Sequence, residues 1–135
     1  MKKFRELRVW QTAKSLSISI YKATSDWPDS EKFGLISQVR RAAVSVAANI
    51  AEGSARGSGL DHARFVKIAL GSVAEVITYL EIASELDYGS ASERAELMRL
   101  YEELAPQLVN LANRLSAKHV REEVSGYSSD GELSE

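Results

Sequence analysis

The chain's 135 residues are enough for one domain around one core, and 44% apolar with 27% charged residues is the balance of a soluble globular protein. Cysteine is absent, which excludes a disulfide framework, a thiolate metal site and a cysteine nucleophile, and no apolar run approaches the roughly 18 residues of a membrane span. The net charge of -2 hides a gradient: residues 1–67 carry 12 Lys/Arg against 6 Asp/Glu, residues 68–118 carry 4 against 8, and residues 119–135 carry 1 against 5.

The N-terminal MKKFRELRVW meets charge again too soon for a secretory signal, so the expected location is the cytoplasm. From about Leu7 to Ser25, Val9, Ala13, Leu16, Ile20 and Thr24 recur at helical spacing, and Trp27-Pro28 closes the segment. A second helix starts at Ser30 or Leu35 and runs to Arg56, with Leu35, Val39, Ala42, Val46 and Ile50 as its stripe. Glycines 53, 57 and 59 weaken and then stop it. The third runs from about Leu60 to Asp87; Ser58 can cap it, and Phe65, Ala69, Ser72, Val76, Leu80 and Ala83 define one face. Small residues on these two helices (Ala42, Ala43, Ala69, Gly71, Ser72) predict a close approach between them.

The fourth opens on a capping box, Ser90 to Glu93, and continues through Leu97, Tyr101, Leu104, Leu108, Leu111 and Leu115, with Pro106 projecting away from the stripe. The pattern predicts an all-α, up-and-down four-helix bundle over residues 1–118. An acidic, disordered tail is expected over 119–135.

Chemistry is sparse. In QVRRAAVSVAANIAEG, residues 38–53, Gln38, Arg41, Ser45, Asn49 and Glu52 fall three or four apart on a strip beside the apolar stripe. These side chains suit fixed hydrogen bonds at a core border. A structural network within or between subunits, a ligand or nucleic-acid surface, and plain amphipathic decoration are the three readings. Glu75, one turn from Tyr79, can join the network by pairing with Arg41, which leaves Glu52 for Arg40, Arg56 or another subunit. As a catalytic acid pair, Glu52 and Glu75 lack an accompanying histidine or third ligand. His62 and His119 read as surface histidines, and the Glu-x-x-His repeats of a di-iron bundle are missing. No catalytic, cofactor or metal residue is therefore assigned, and the expectation is not an enzyme. The glycine-rich GSARGSG at 53–59 follows a helix and lacks a GKS or GKT ending, so it reads as a helix hairpin rather than a phosphate loop.

The basic residues near the N-terminus (Lys2, Lys3, Arg5, Arg8, Lys14) and further along (Arg40, Arg41, Arg56, Arg64, Lys67) make the case for nucleic acid, the latter five as candidate contacts. A solvated basic face explains them equally. Leu7, Trp10, Ile18, Tyr21 and Tyr79 cannot all enter one narrow seam, which predicts a second apolar surface and self-association.

Three segments carry a resemblance: FRELRVWQTAKSLSISIYKAT at 4–24, KFGLISQVRRAAVSVAANIAEGSARGS at 32–58 and FVKIALGSVAEVITYLEIASELDYG at 65–89. With their RRAxxSxxxNIAEG and ALGSxxE patterns they resemble, in order, the four-helix-bundle family named after the intervening sequence of 23S ribosomal RNA, also called the S23 ribosomal protein family. The fourth helix joins the match by its leucines alone. The resemblance implies a left-handed up-and-down bundle, a ring that is commonly a homopentamer, and a non-enzymatic group associated with RNA or nucleoprotein. More distantly, the chain is similar to accessory proteins of diversity-generating retroelements, basic pentamers that partner a reverse transcriptase and nucleic acid. By that analogy Arg40, Arg41 and Arg56 are contact candidates, although this chain is mildly acidic where those proteins are basic. Ala47 and Ala48 stand where the family often has a proline, which implies a straighter second helix.

Overall fold

A computed structural model describes residues 3–130, with side chains described over 3–126. Its elements are a single turn α1 (Lys3–Glu6), four long helices α2 (Arg8–Thr24), α3 (Leu35–Arg56), α4 (Gly59–Glu85) and α5 (Ala91–Asp130), and a 3-10 turn at Asp29–Glu31. Strands are absent among the described residues. Each long helix packs on the next, and α2 meets α5 to close the ring, while the diagonal pairs stay apart. Consecutive helices joined by short links must run antiparallel, so the order is up and down.

Most of the predicted stripe residues form the core, with Leu35, Phe65 and Leu115 only partly buried. Val39, Val46, Ile50, Val76, Leu80, Tyr101, Leu104 and Leu108 are wholly enclosed, and each such aliphatic side chain contributes about 1.5–3 kcal/mol of burial. The α3–α4 seam is the most extensive, and Ala42, Ala43, Ala69 and Ser72 are buried. Gly53 is pressed into this seam: a Cβ there would lie 2.8 Å from Phe65 Cβ and 3.0 Å from the His62 carbonyl oxygen. Gly71, expected in the same seam, is instead exposed, and a Cβ on it would meet nothing within 4 Å.

Local chemistry fixes the helix ends. The doubt over the start of α3 resolves at Leu35, whose N–H donates to Glu31 Oε1 at 2.9 Å. A Cβ at Gly34 would stand 2.6 Å from that same oxygen, so a larger residue there would push the Glu31 side chain off its cap. Gly57 ends α3 in the left-handed region, φ +87°, and Ser58 Oγ then accepts the Asp61 N–H at 3.0 Å to cap α4. The Glu93 N–H donates to Ser90 Oγ at 3.2 Å, as the capping box predicts. Pro106 is exposed within an unbroken helix, and α3 runs uninterrupted through Ala47 and Ala48.

The stripe ends near Leu115, and α5 continues past it to Asp130. Extending an existing helix adds one hydrogen bond per residue without new nucleation, so a solvated overhang needs no buried face. His119 Nε2 lies 3.4 Å from Glu123 one turn on, and Val120 and Val124 are exposed. Residues 131–135 of the predicted tail lie outside the described residues.

Candidate functional site

The antiparallel order gathers charge by sign. One end of the bundle holds the start of α2, the α3–α4 link and the late part of α5. Residues 3–14, 52–67 and 114–126 there carry ten Lys/Arg against five Asp/Glu. At the opposite end, residues 21–41 and 75–103 carry six against eleven.

At the basic end, Arg56 and Arg64 share one aromatic platform. Their guanidinium carbons stand 5.0 Å and 4.7 Å from the centroid of the Phe65 ring. Each is also tied to an acid on its own helix, Arg56 to Glu52 at 3.1 Å and Arg64 to Asp61 at 3.6 Å, and both keep about half their side chains in solvent (46% and 58%). Stacking and pairing together restrict the rotamers of two planar forks without hiding their donors. Lys67 follows Arg64 by one turn and borders a small groove between α4 and α5. Beside them a cavity of about 500 Å³ is lined by Lys3, Gly53, Ser58, His62 and Lys118 among others, with Glu6 and Glu122 balancing its two lysines. His62 Nε2 is buried there without a hydrogen-bond partner among the described residues, and burial holds the imidazole below the usual histidine range.

Arg40 and Arg41 do not join this group. Arg40 lies 16 residues, about 24 Å of helix, from Arg56. It braces α3 on α2: Nε donates to Thr24 Oγ1 at 2.9 Å, an Nη donates to the Tyr21 carbonyl at 3.2 Å, and the guanidinium covers the Tyr21 ring at 4.6 Å. Arg41 is exposed and borders a polar recess of about 390 Å³ with Gln38, Ser45, Glu75 and Tyr79. The expected Arg41–Glu75 ion pair does not form within 4 Å among the described residues. Lys2 lies outside them.

The polar strip divides. Ser45 Oγ meets Ser72 Oγ at 2.9 Å across the α3–α4 seam, and Asn49 Nδ2 donates to both Ser45 Oγ and the Ser45 carbonyl at 2.9 Å. Tyr79 OH donates to Gln38 Oε1 at 3.4 Å. Glu52 belongs instead to the Arg56 cluster, 11 residues and about 16 Å of helix from Arg41, so Glu52 and Glu75 do not share a site. Among the described residues no three His, Cys, Asp or Glu side chains converge as a metal site, and no helix is long and apolar enough to cross a membrane.

Sequence reasoning missed the most buried charge. Arg94, 4% exposed, donates to Ser84 Oγ at 3.1 Å, to the Gly89 carbonyl at 3.1 Å and to the Tyr88 carbonyl, closing the α4–α5 turn. Within the capping box it reads as a solvent-facing helix residue, and its only flag is position: the first turn after a tight link. Of the apolar residues expected at the surface, Ile18 and Tyr21 are exposed, whereas Leu7, Trp10 and Tyr79 lie half-buried against the core.

The family model described as 23S rRNA-intervening sequence protein matches residues 5–110. A crystal structure of a protein of unknown function from the S23 ribosomal protein family of Bacteroides thetaiotaomicron VPI-5482 has 21% sequence identity and a TM-score of 0.69, covering 77% of this chain and 97% of that one. At that identity the likeness concerns the fold. No curated protein matches the chain.

Proposed function

We propose a role on the premise that this chain belongs to the 23S rRNA-intervening sequence protein family: it is a non-enzymatic, self-associating module of the cytoplasm that engages RNA through the basic end of its bundle. The observation that carries the reading is the Arg56–Phe65–Arg64 stack, which holds two guanidiniums open to solvent on one platform. A guanidinium fork matches phosphate oxygens bidentately, and Lys67 and Lys118 extend the positive field around the stack. Arg40 and Arg41 are left out of this surface, since one is a strut to α2 and the other borders the separate polar recess. Self-association adds weight, because each further copy in an assembly multiplies the phosphate contacts. The ring of five implied by the family resemblance would present five such ends.

The test is RNA binding by the full chain, followed by fluorescence anisotropy with a structured ribosomal RNA fragment across a salt series. Affinity is expected to fall steeply with salt, and the combined Arg56→Ala and Arg64→Ala variant to bind at least about tenfold more weakly at unchanged native mass. Binding indifferent to both salt and the double substitution sinks the RNA reading. The second reading is protein–protein assembly without a polymer partner, favoured by the exposed Ile18, Tyr21 and Val44. It predicts no RNA retention at any salt concentration.

A further inference from the structure

Phe33 is the most exposed large apolar residue among those described, with 89% of its surface in solvent. It stands between the 3-10 turn and α3, on a corner that the chain holds in place. Glu31, just before it, accepts the Leu35 N–H and the Tyr88 hydroxyl, which ties the corner to the end of α4. The antiparallel register of α3 and α4, seen in Ser45 with Ser72 and Gln38 with Tyr79, sets Phe33 level with Ser84. On that stretch of α4, Ile82 and Leu86 are exposed too, and they follow Tyr79 by three and seven residues on the flank that faces α3. Three apolar side chains therefore share one corner, and its rim is acidic. Residues 26–35 and 79–90 carry six Asp/Glu against Lys32 alone. Of these acids, Asp26, Asp29, Glu81 and Glu85 are exposed and have no ion-pair partner within 4 Å among the described residues. Lys32 lies with its Nζ 5.7 Å from the centroid of the Phe33 ring.

We propose that this corner docks an arginine-bearing segment of a partner protein, with an apolar side chain of that segment seated among Phe33, Ile82 and Leu86. Charge complementarity selects the occupant: the acidic rim repels RNA phosphates and a second copy of the same corner, and it attracts a basic chain. The ring adds specificity. The place that Lys32 takes over Phe33 is one that an arginine guanidinium fills better, because the planar fork stacks flat on an aromatic face. Covering the ring removes on the order of 150 Å² of apolar surface from water, the payload of a single aromatic anchor. The corner is also preorganised, since the Glu31 hydrogen bonds fix the turn before any partner arrives and leave little ordering to oppose binding. The inference stands apart from the RNA reading, which uses the opposite end of the bundle.

Selection of short random peptides on the full chain tests it, followed by fluorescence anisotropy of the tightest binder across a salt series. Selected peptides are expected to combine arginines with a leucine or an aromatic residue, and to bind less tightly as salt rises. Phe33→Ser should weaken binding at least about tenfold, and Glu85→Lys should weaken it several-fold with a shallower salt dependence. Both variants should keep the parent's native mass and thermal unfolding, because neither side chain is buried. Selected peptides without basic residues, or a tightest binder indifferent to Phe33→Ser, overturn the inference and leave the RNA reading untouched. A fall in native mass on Phe33→Ser shows another copy of the chain covering the corner, and weaker RNA binding by that variant shows the polymer there. Either result overturns the inference as well.

Discussion

The two ends of the bundle use polar groups in opposite ways. At the acidic end they are turned inward. Glu31 caps α3 through the Leu35 N–H and accepts the Tyr88 hydroxyl at 2.8 Å, Trp27 lies beneath Gly89, and Arg94 gathers Ser84 and two carbonyls. At the basic end Arg56 and Arg64 lie on Phe65 with half their surface in water, and α5 overhangs the other helices. One end closes the chain on itself, while the other displays charge. A burial difference of this kind separates residues whose loss unfolds the protein from residues whose loss changes what it can bind.

The largest expected effect follows from that contrast. Arg94→Ala leaves the Tyr88 and Gly89 carbonyls and Ser84 without their donor in a buried corner, at a cost of roughly 3–5 kcal/mol. Lysine should not rescue it, because a single ammonium cannot reproduce the fork. The contact with Asp87, 3.6 Å away and 91% exposed on the acid's side, adds little. Arg56→Ala, removing an exposed pair at the other end, should cost less than about 1 kcal/mol. Urea denaturation of the two variants decides the matter, and equal losses would erase the distinction between the ends.

Glycines sharpen the comparison on a smaller scale. Gly57 and Gly89 both have positive φ, +87° and +66°. A methyl group at residue 57 meets open space, whereas one at residue 89 would sit 2.7 Å from Trp27 Nε1. Gly57→Ala is therefore expected to cost about 1–2 kcal/mol of backbone strain alone. Gly89→Ala adds displacement of a buried indole, for roughly 3 kcal/mol in total. Thermal unfolding of both reads the difference, and a Gly89→Ala loss no larger than that of Gly57→Ala would show that Trp27 gives way freely.

Much of this architecture is legible before any coordinates. The stripes Val9–Thr24, Leu35–Ile50 and Leu97–Leu115 have the helical period, and Ser58 and Ser90 stand at the caps because a short hydroxyl three residues before a free N–H has one good use. What stays hidden depends on contacts distant in sequence. Glu31 meets Tyr88 across 57 residues, and Arg40 reaches Thr24 across 16. Periodicity assigns a residue to a face but not to a partner, so Arg40 and Arg56 look alike until the bundle closes. Gly71 illustrates the reverse error: a small residue beside a seam reads as part of it, although one step around the helix faces it outward. The α5 overhang escapes notice because a solvated helix has no stripe.

The finest test separates the ends by acid. His62 lies at the basic end with its Nε2 buried and without a partner among the described residues, and burial lowers its proton affinity below the ordinary value of 6.5. Glu31 lies at the acidic end, where the Leu35 N–H first and the Tyr88 hydroxyl second hold its carboxyl below the ordinary 4.5. Both groups bind a proton more weakly folded than unfolded, so each contributes stability above its unfolded value and loses it as pH falls through its folded value. Acidification should therefore weaken the chain in two steps, beginning near pH 6.5 with His62 and near pH 4.5 with Glu31. Denaturation midpoints at several pH values, measured for the parent chain, His62→Gln and Glu31→Gln, resolve the steps. His62→Gln should flatten the upper step alone, leaving His119 and its Glu123 contact intact as an internal control. Glu31→Gln should flatten only the lower step, since the amide oxygen still accepts from Leu35. If His62→Gln keeps the full loss below pH 6.5, that loss arises elsewhere, and the buried imidazole is not what makes the basic end sensitive to acid.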